Sequence, residues 1–418
     1  MELANPLPSD RFKIDSRHIP FILLLVFLNI YKSILYYFGF NWLPLGFSVL
    51  ILFSLLFARL FSKNHFLEIH PLLQIYIVWA LFQLLFPMIT GGAMISLVGF
   101  TSLYLNFFLW TLLLNRRDSE ALFYAFLKII FFLGILMAFF SIYQYFLDYE
   151  LFVKPHSLYA NIEALEAQSH ITRRSTSFIG SPQNLGFYLI MVFPLTNLFL
   201  KRSLHRLISK AIVLGGGFLS GSATFGGGLI VLWMIHEIDR KRKRTLIIIL
   251  LMLVFLFVLT GDPFKKDAAY LNSLSLGFAS HFSYYEKYFQ DISPVQFLFG
   301  HGLGYADRLT ERYFVDRPDA GWMPSSESFI LRIYYEVGVI GIVLYALIVS
   351  SSLQFLRRDR YRSFPKPLFA ICVLIIVNAV FTPVQSGITG SFLSWPFLIY
   401  PFAFRKDRND GTKTCLSV

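Results

Sequence analysis

A chain of 418 residues that is 56% hydrophobic, 18% aromatic and only 15% charged carries far more apolar surface than one soluble core can bury. Together with a mean hydropathy of +0.60, this excludes an ordinary soluble enzyme and points to a polytopic membrane protein. The formal charge of +12 would suit a nucleic-acid binder, but the Lys and Arg residues fall in short clusters between apolar stretches, where they set orientation and imply no nucleic-acid partner.

A bilayer core takes roughly 20 apolar residues per helix. The polar start MELANPLPSDRFKIDSRH, which shows no small-residue cleavage site, leads into apolar stretches near 19–38, 42–61, 70–89, 95–114 and 121–147. Further stretches near 183–200, 207–220, 223–238, 245–260, 328–350, 368–384 and 391–404 bring the expected number of spans to twelve. Cations gather in alternate loops, at Arg11, Lys13 and Arg17, at Arg59 and Lys63, at Arg116 and Arg117, and in the runs from Lys201, Asp239, Arg357 and Arg405. Lys and Arg accumulate on the cytoplasmic side, so both termini are expected there. The expected organisation is membrane helices over residues 1–147, a first outer loop over 148–182, helices over 183–260, a large outer loop over 261–327, and helices with a tail over 328–418.

The large loop is rich in aromatics, including Tyr270, Phe278, Tyr285, Phe289 and Phe299, as expected of short amphipathic helices packed on a membrane surface. Long structured loops on one side of a bundle place the function on that side, the outer face. The glycine-rich run LGGGFLSGSATFGGGL in the seventh and eighth spans has two readings, a re-entrant-like hairpin or close helix packing through small residues. Cys372 lies in a span and Cys415 in the tail, so no disulfide framework is expected.

The chemistry-bearing residues cluster at two loop ends. In HITRRSTSFIGSPQNLG, Arg173 and Arg174 precede the sixth span; a guanidinium fork binds phosphate oxygens bidentately, so a diphosphate head group is the ligand read here, with an interfacial lipid anchor as the alternative. Ser181 and Pro182 look like a helix cap and first helical residue, and the following Gln183 and Asn184 would stand beside the same anion. In SSESFILRIYYEVGVIG, Glu327 is either a general base for a hydroxyl nucleophile or an ordinary first-turn glutamate capped by Ser325 or Ser326. Arg332 and Glu336 are four residues apart and can pair on one helix face; the pair either serves the site or is a neutralised structural pair facing the interior. FGHGLGYADR reads as a tight turn with unusual backbone angles at Gly302 and Gly304, and His301 within it is a candidate substrate contact. No His, Cys or Asp cluster has metal-ligand spacing, so a metal-independent mechanism without a cofactor is expected.

Four ordered pieces, RRSTSFIGSPQNLGFYL, LSGSATFGGGL, FGHGLGYA and ESFILRIYYEVGVIG, make residues 173–341 resemble the O-antigen ligase/polymerase family of multi-pass membrane glycosyltransferases. The resemblance implies a GT-C-like helical bundle in a bacterial cytoplasmic membrane and an inverting transfer from an undecaprenyl-diphosphate-linked glycan donor to a glycan acceptor. It matches Arg173, with Arg174 beside it, to the diphosphate arginine and places Glu327 where ligases carry a loop histidine. Arg332 would add a further diphosphate contact, with Glu336, Gln183, Asn184 and His301 as supporting candidates. Membrane lipids and a chain-length regulator are the other partners it implies. The chain has Glu-Ser in place of the ligases' His-Asn, which favours a polysaccharide polymerase over a ligase acting on a lipid A core, and Ala223 in place of an arginine in an S-R-G-like run. A transporter or flippase, the alternative from another class, would carry its ionisable residues near the bilayer midplane on discontinuous helices.

Overall fold

The computed structural model describes residues 18–30, 46, 49–51, 54, 69–89, 93–114, 119–147, 175–179, 181–239, 292–306, 328–358, 366–381 and 388–409. Among these the chain is all-helical, without strands. The helices are α1 (His18–Asn29), α2 (Pro71–Ile89), α3 (Ala93–Leu103), α4 (Leu105–Leu114), α5 (Ser119–Phe146), α6 (Pro182–Phe199), α7 (Ser203–Leu219), α8 (Ala223–Asp239), α9 (Pro294–Phe299), α10 (Phe329–Arg358), α11 (Lys366–Phe381) and α12 (Ile388–Asn409). Two described helices, α5 and α10, are long and apolar enough to cross a membrane, and α3 with α4 makes a third if the bent pair is one span. The expected spans near 42–61 and 245–260 lie largely or wholly outside the described residues, as do most of both outer loops.

Polarity is distributed inside out. Along α5, Phe132, Leu136, Phe139 and Tyr143 recur at helical spacing on one face and are all exposed, whereas Ser141 and Gln144 on the opposite side are buried. Lys128 lies on the exposed face, where a long stem can carry its ammonium towards an interface. Every residue of α4 is buried, and so is the run from Leu185 to Val192 in α6, as expected of helices that are apolar all round and enclosed by others. An apolar exterior around a polar-studded interior suits a hydrocarbon solvent.

Three local devices shape the bundle. Thr101 and Ser102 bond back to the carbonyls of Val98 and Gly99 at 2.8 and 2.9 Å, and the pair α3–α4 bends by 44° just beyond them, at Tyr104. In α12, Pro396 and Pro401 have no N–H to offer the carbonyls four residues earlier. Trp110 Nε1 donates to one of these, Phe392, at 3.1 Å, and Cys372 Sγ to the other, Phe397, at 3.6 Å. The glycine-rich run forms α7 and α8, which meet mainly α5, α6 and α11 and make little contact with each other, so close packing through small residues is realised here and a self-paired hairpin is not. A β-carbon on Gly216 would come within 2.8 Å of Ala138 Cα, and one on Gly228 within 2.6 Å of Ile190.

Cross-helix contacts also fix which ends lie together. Phe123 of α5 stacks on Tyr400 of α12, Ser352 of α10 donates to Leu398 O at 2.6 Å, and Cys372 of α11 meets Phe397 O, which gathers these four helices at one level. The 21 residues from Phe123 to Gln144 carry α5 roughly 30 Å to its opposite end, whereas α10 turns back at Gly338 and packs Phe329 against Tyr345, with ring centroids 5.4 Å apart, so Ser328 stays inside the bundle beside Tyr345. Ser328 Oγ reaches Ala379 O of α11 at 3.4 Å, seven residues beyond Cys372, while Gln144 meets Ser175 at the far end of α5. Replacing Gly216 by Leu should push α7 from α5 and cost about 1–3 kcal/mol, read as a lower unfolding midpoint in detergent.

Candidate functional site

Two segments that follow the expected outer loops are anchored in the bundle. Gln144, fully buried, accepts at its Oε1 from Ser175 Oγ (2.7 Å), the Thr176 amide (2.9 Å) and the Ser177 amide (2.8 Å). Its Nε2 donates to Thr176 Oγ1 at 3.3 Å, and the Ser175 amide donates to Leu219 O at 2.9 Å. Phe178 stacks on Phe140 at 3.9 Å, and Ser177 is held at φ 48° by these restraints. The residues just before this anchor are Arg173 and Arg174, which lie outside the described residues. Ser181 occupies the cap position of α6 with Pro182 as its first residue, as the sequence leads one to expect, but its hydroxyl makes no capping bond. Gln183 and Asn184 follow in the first turn, both half-buried.

The second anchor is the start of α10. The helix begins at Phe329, with Ser328 Oγ 3.5 Å from the Leu331 amide, so the cap falls on Ser328 and not on Ser325 or Ser326. Glu327 precedes it by one residue and lies outside the described residues. One turn on, Arg332 Nε pairs with Glu336 Oε1 at 3.2 Å, both side chains being 1% exposed or less. Arg332 donates to Ser102 Oγ at 2.6 Å, which joins α10 to the bent end of α3. The structure thus places the pair in the bundle interior, the second of the two arrangements the spacing allows, and Arg332 is engaged there instead of standing open at the mouth.

Two residues beyond Glu336, Gly338 adopts φ 70° and ψ −173°, and α10 kinks. In a straight helix the carbonyls of Tyr335 and Glu336 would accept from residues 339 and 340. Here, with the helix broken at Gly338, they accept from the turn after α9: the His301 amide donates to Tyr335 O at 2.7 Å and the Gly302 amide to Glu336 O at 3.0 Å. Glu336 Oε1 accepts from the Ala306 amide at 3.1 Å, and Gln83 Nε2 of α2 donates to Phe299 O at 2.9 Å. Gly300, Gly302 and Gly304 have φ of 79°, 109° and 90°, the left-handed backbone that lets FGHGLGYA thread between α3 and α10. A side chain at Gly304 would strike the Ile95 carbonyl.

His301 stacks flat on Tyr335, with ring centroids 3.9 Å apart, and its Nδ1 is 3.3 Å from Tyr335 O. A carbonyl only accepts, so this contact selects the tautomer with the proton on Nδ1. Burial pushes the imidazole below its ordinary value, against a smaller upward effect of that backbone contact, so His301 is neutral at pH 7. Among the described residues no group of His, Cys, Asp and Glu could hold a metal ion.

The structure therefore brings Arg332, Glu336 and His301 into one network, while Gln183 and Asn184 belong to the other anchor. Gln144, Gln83, Ser102 and Tyr335 are the organising residues that motif reading passes over. A lone amide inside an apolar span, as at Gln83 and Gln144, is the signal that would have found two of them.

Removing one partner of the buried pair, by Arg332→Ala or Glu336→Ala, should cost about 3–5 kcal/mol in unfolding measurements, whereas Arg332→Leu with Glu336→Leu recovers much of it. Because the docked His301 favours its neutral form, docking of the turn is fully present above the free histidine value of about 6.5 and is lost as pH falls through the lower docked value. Protection factors at residues 300–306, corrected for the intrinsic pH dependence of amide exchange, should fall as pH drops from 7.5 to 5.5, and His301→Phe, which stacks without titrating, should flatten that dependence. Compared with known proteins, the chain matches no family model and no curated sequence.

Proposed function

We propose that this chain is a membrane glycosyltransferase that polymerises undecaprenyl-diphosphate-linked oligosaccharide units at the outer face of a bacterial cytoplasmic membrane, within a twelve-span, GT-C-like bundle. The observation that carries the reading is that the segments following both expected outer loops are each fastened inside the bundle, at Ser175 and at Ser328. The first directly follows the arginine pair and the second directly follows Glu327. In this reading a diphosphate grip and a base are brought together from segments some 150 residues apart in sequence.

In this mechanism an acceptor hydroxyl attacks the donor's anomeric carbon, the bond from that carbon to the diphosphate oxygen breaks with inversion, and Glu327 takes the hydroxyl proton. Arg173 and Arg174 stabilise the charge on the departing lipid diphosphate, each contact contributing about 2.7–4 kcal/mol in the transition state. Arg332, engaged with Glu336 and Ser102, supports the site from behind and does not touch the phosphate.

A second reading has one observation in its favour. The buried Arg332–Glu336 pair sits between a bent helix pair and a kinked helix, the arrangement a transporter would use. Purified protein in liposomes separates the readings. Repeat-unit donor alone should yield a ladder of products if the chain is a polymerase; product only on adding lipid A core would make it a ligase, and movement of the donor across the bilayer without new glycosidic bonds would make it a flippase. Glu327→Gln and Arg173→Ala should each abolish chain extension while leaving insertion and unfolding midpoint unchanged, and wild-type ladders from both would remove the site assignment.

A further inference from the structure

We infer that Glu336 is a positioning residue, whose carboxylate holds the glycine turn in register with the first half of α10 and so sets the segment from which Glu327 acts. The inference rests on the polymerase reading for its activity arm only. A carboxylate that served merely to neutralise Arg332 would need one contact. Glu336 instead holds the turn twice, through Oε1 to the Ala306 amide at 3.1 Å and through its backbone oxygen to the Gly302 amide at 3.0 Å. The docked segment is tightly enclosed: Leu303 is fully buried, and Ala306, 1% exposed, packs on Leu331 and Tyr335 of the same helix half. On the far side, Arg332 carries the connection to Ser102, and the turn itself abuts Gly99 and Ile95. The first half of α10 is thus fastened to α3 and to the turn before it reaches the kink at Gly338, and the side chain common to these attachments is Glu336.

This makes a distinction that a purely structural ion pair does not. What the site needs at position 336 is an acceptor for the Ala306 N–H; the charge is needed only because Arg332 is present. Two double variants separate these, Arg332→Gln with Glu336→Gln, which is neutral and keeps an acceptor oxygen, and Arg332→Leu with Glu336→Leu, which is neutral and has none. Both are made in a parent lacking Cys372 and Cys415, with Ala306→Cys as a reporter whose thiol is shielded while the turn is docked. The measurements are the maleimide labelling rate in proteoliposomes and ladder formation from repeat-unit donor in the matching chains without the reporter.

The Leu pair should label roughly tenfold or more faster than the parent and lose chain extension by a similar factor, while the Gln pair stays within about threefold of the parent in both. Equal protection of the reporter thiol and equal extension in the two doubles would overturn the inference, as would a folded Gln pair whose reporter thiol is freely labelled. A parent that makes no ladder while labelling still separates the doubles would remove the polymerase reading and leave Glu336 as the residue that registers the turn.

Discussion

A charge taken out of water must be matched where it lies, and at this end of the bundle the charge is the Glu336 carboxylate. Its match comes from Arg332 one turn before it and from the Ala306 amide of a different segment. Once both are in place, the rest of the arrangement is constrained. The turn has to thread between α3 and α10, which requires left-handed backbone at its glycines, and α10 has to open at Gly338 where the turn docks. The bend of α3 towards Ser102 completes the same enclosure from the other side.

The two anchors are held by different physics. At Ser175–Ser177 a neutral amide, Gln144, gathers backbone donors that have no helix of their own to satisfy them. At the start of α10 an ion pair and a docked turn do the holding. Each leaves the residues immediately outward of it, the arginines in one case and Glu327 in the other, attached to a rigid element instead of to the middle of a long loop. That adjacency in sequence is what the glycosyl-transfer proposal builds on.

The all-helical character of the described residues was legible in the apolar stretches, because a bilayer imposes length and hydropathy more strictly than water imposes either. The start of α6 at Ser181-Pro182 and the glycine turn at Gly302 and Gly304 were legible for a local reason: proline and glycine constrain the backbone by themselves. The spacing of Arg332 and Glu336 announced their pairing but not which way the pair faces, since a helix that is apolar on every side offers no polar face to orient it. The bend at Tyr104 was not legible, because Thr101 and Ser102 bonding back to their own helix look like any two small polar residues in sequence. The cap at Ser328 was missed because three serines at 325, 326 and 328 are equivalent until α10 is packed on α11.

The prolines of α12 have a consequence for how this end can move. Their stranded carbonyls are caught by Trp110 from α4 and by Cys372 from α11, so sliding α12 past either neighbour would strip the acceptor that neighbour serves, in a medium with no water to replace the donor. The helix is keyed in place like a pier, with Ser352 of α10 fastened to it at the Leu398 carbonyl. Any displacement that opens the bundle is therefore resisted at that footing, and the kink at Gly338 and the bend at Tyr104 are the breaks left to take it up.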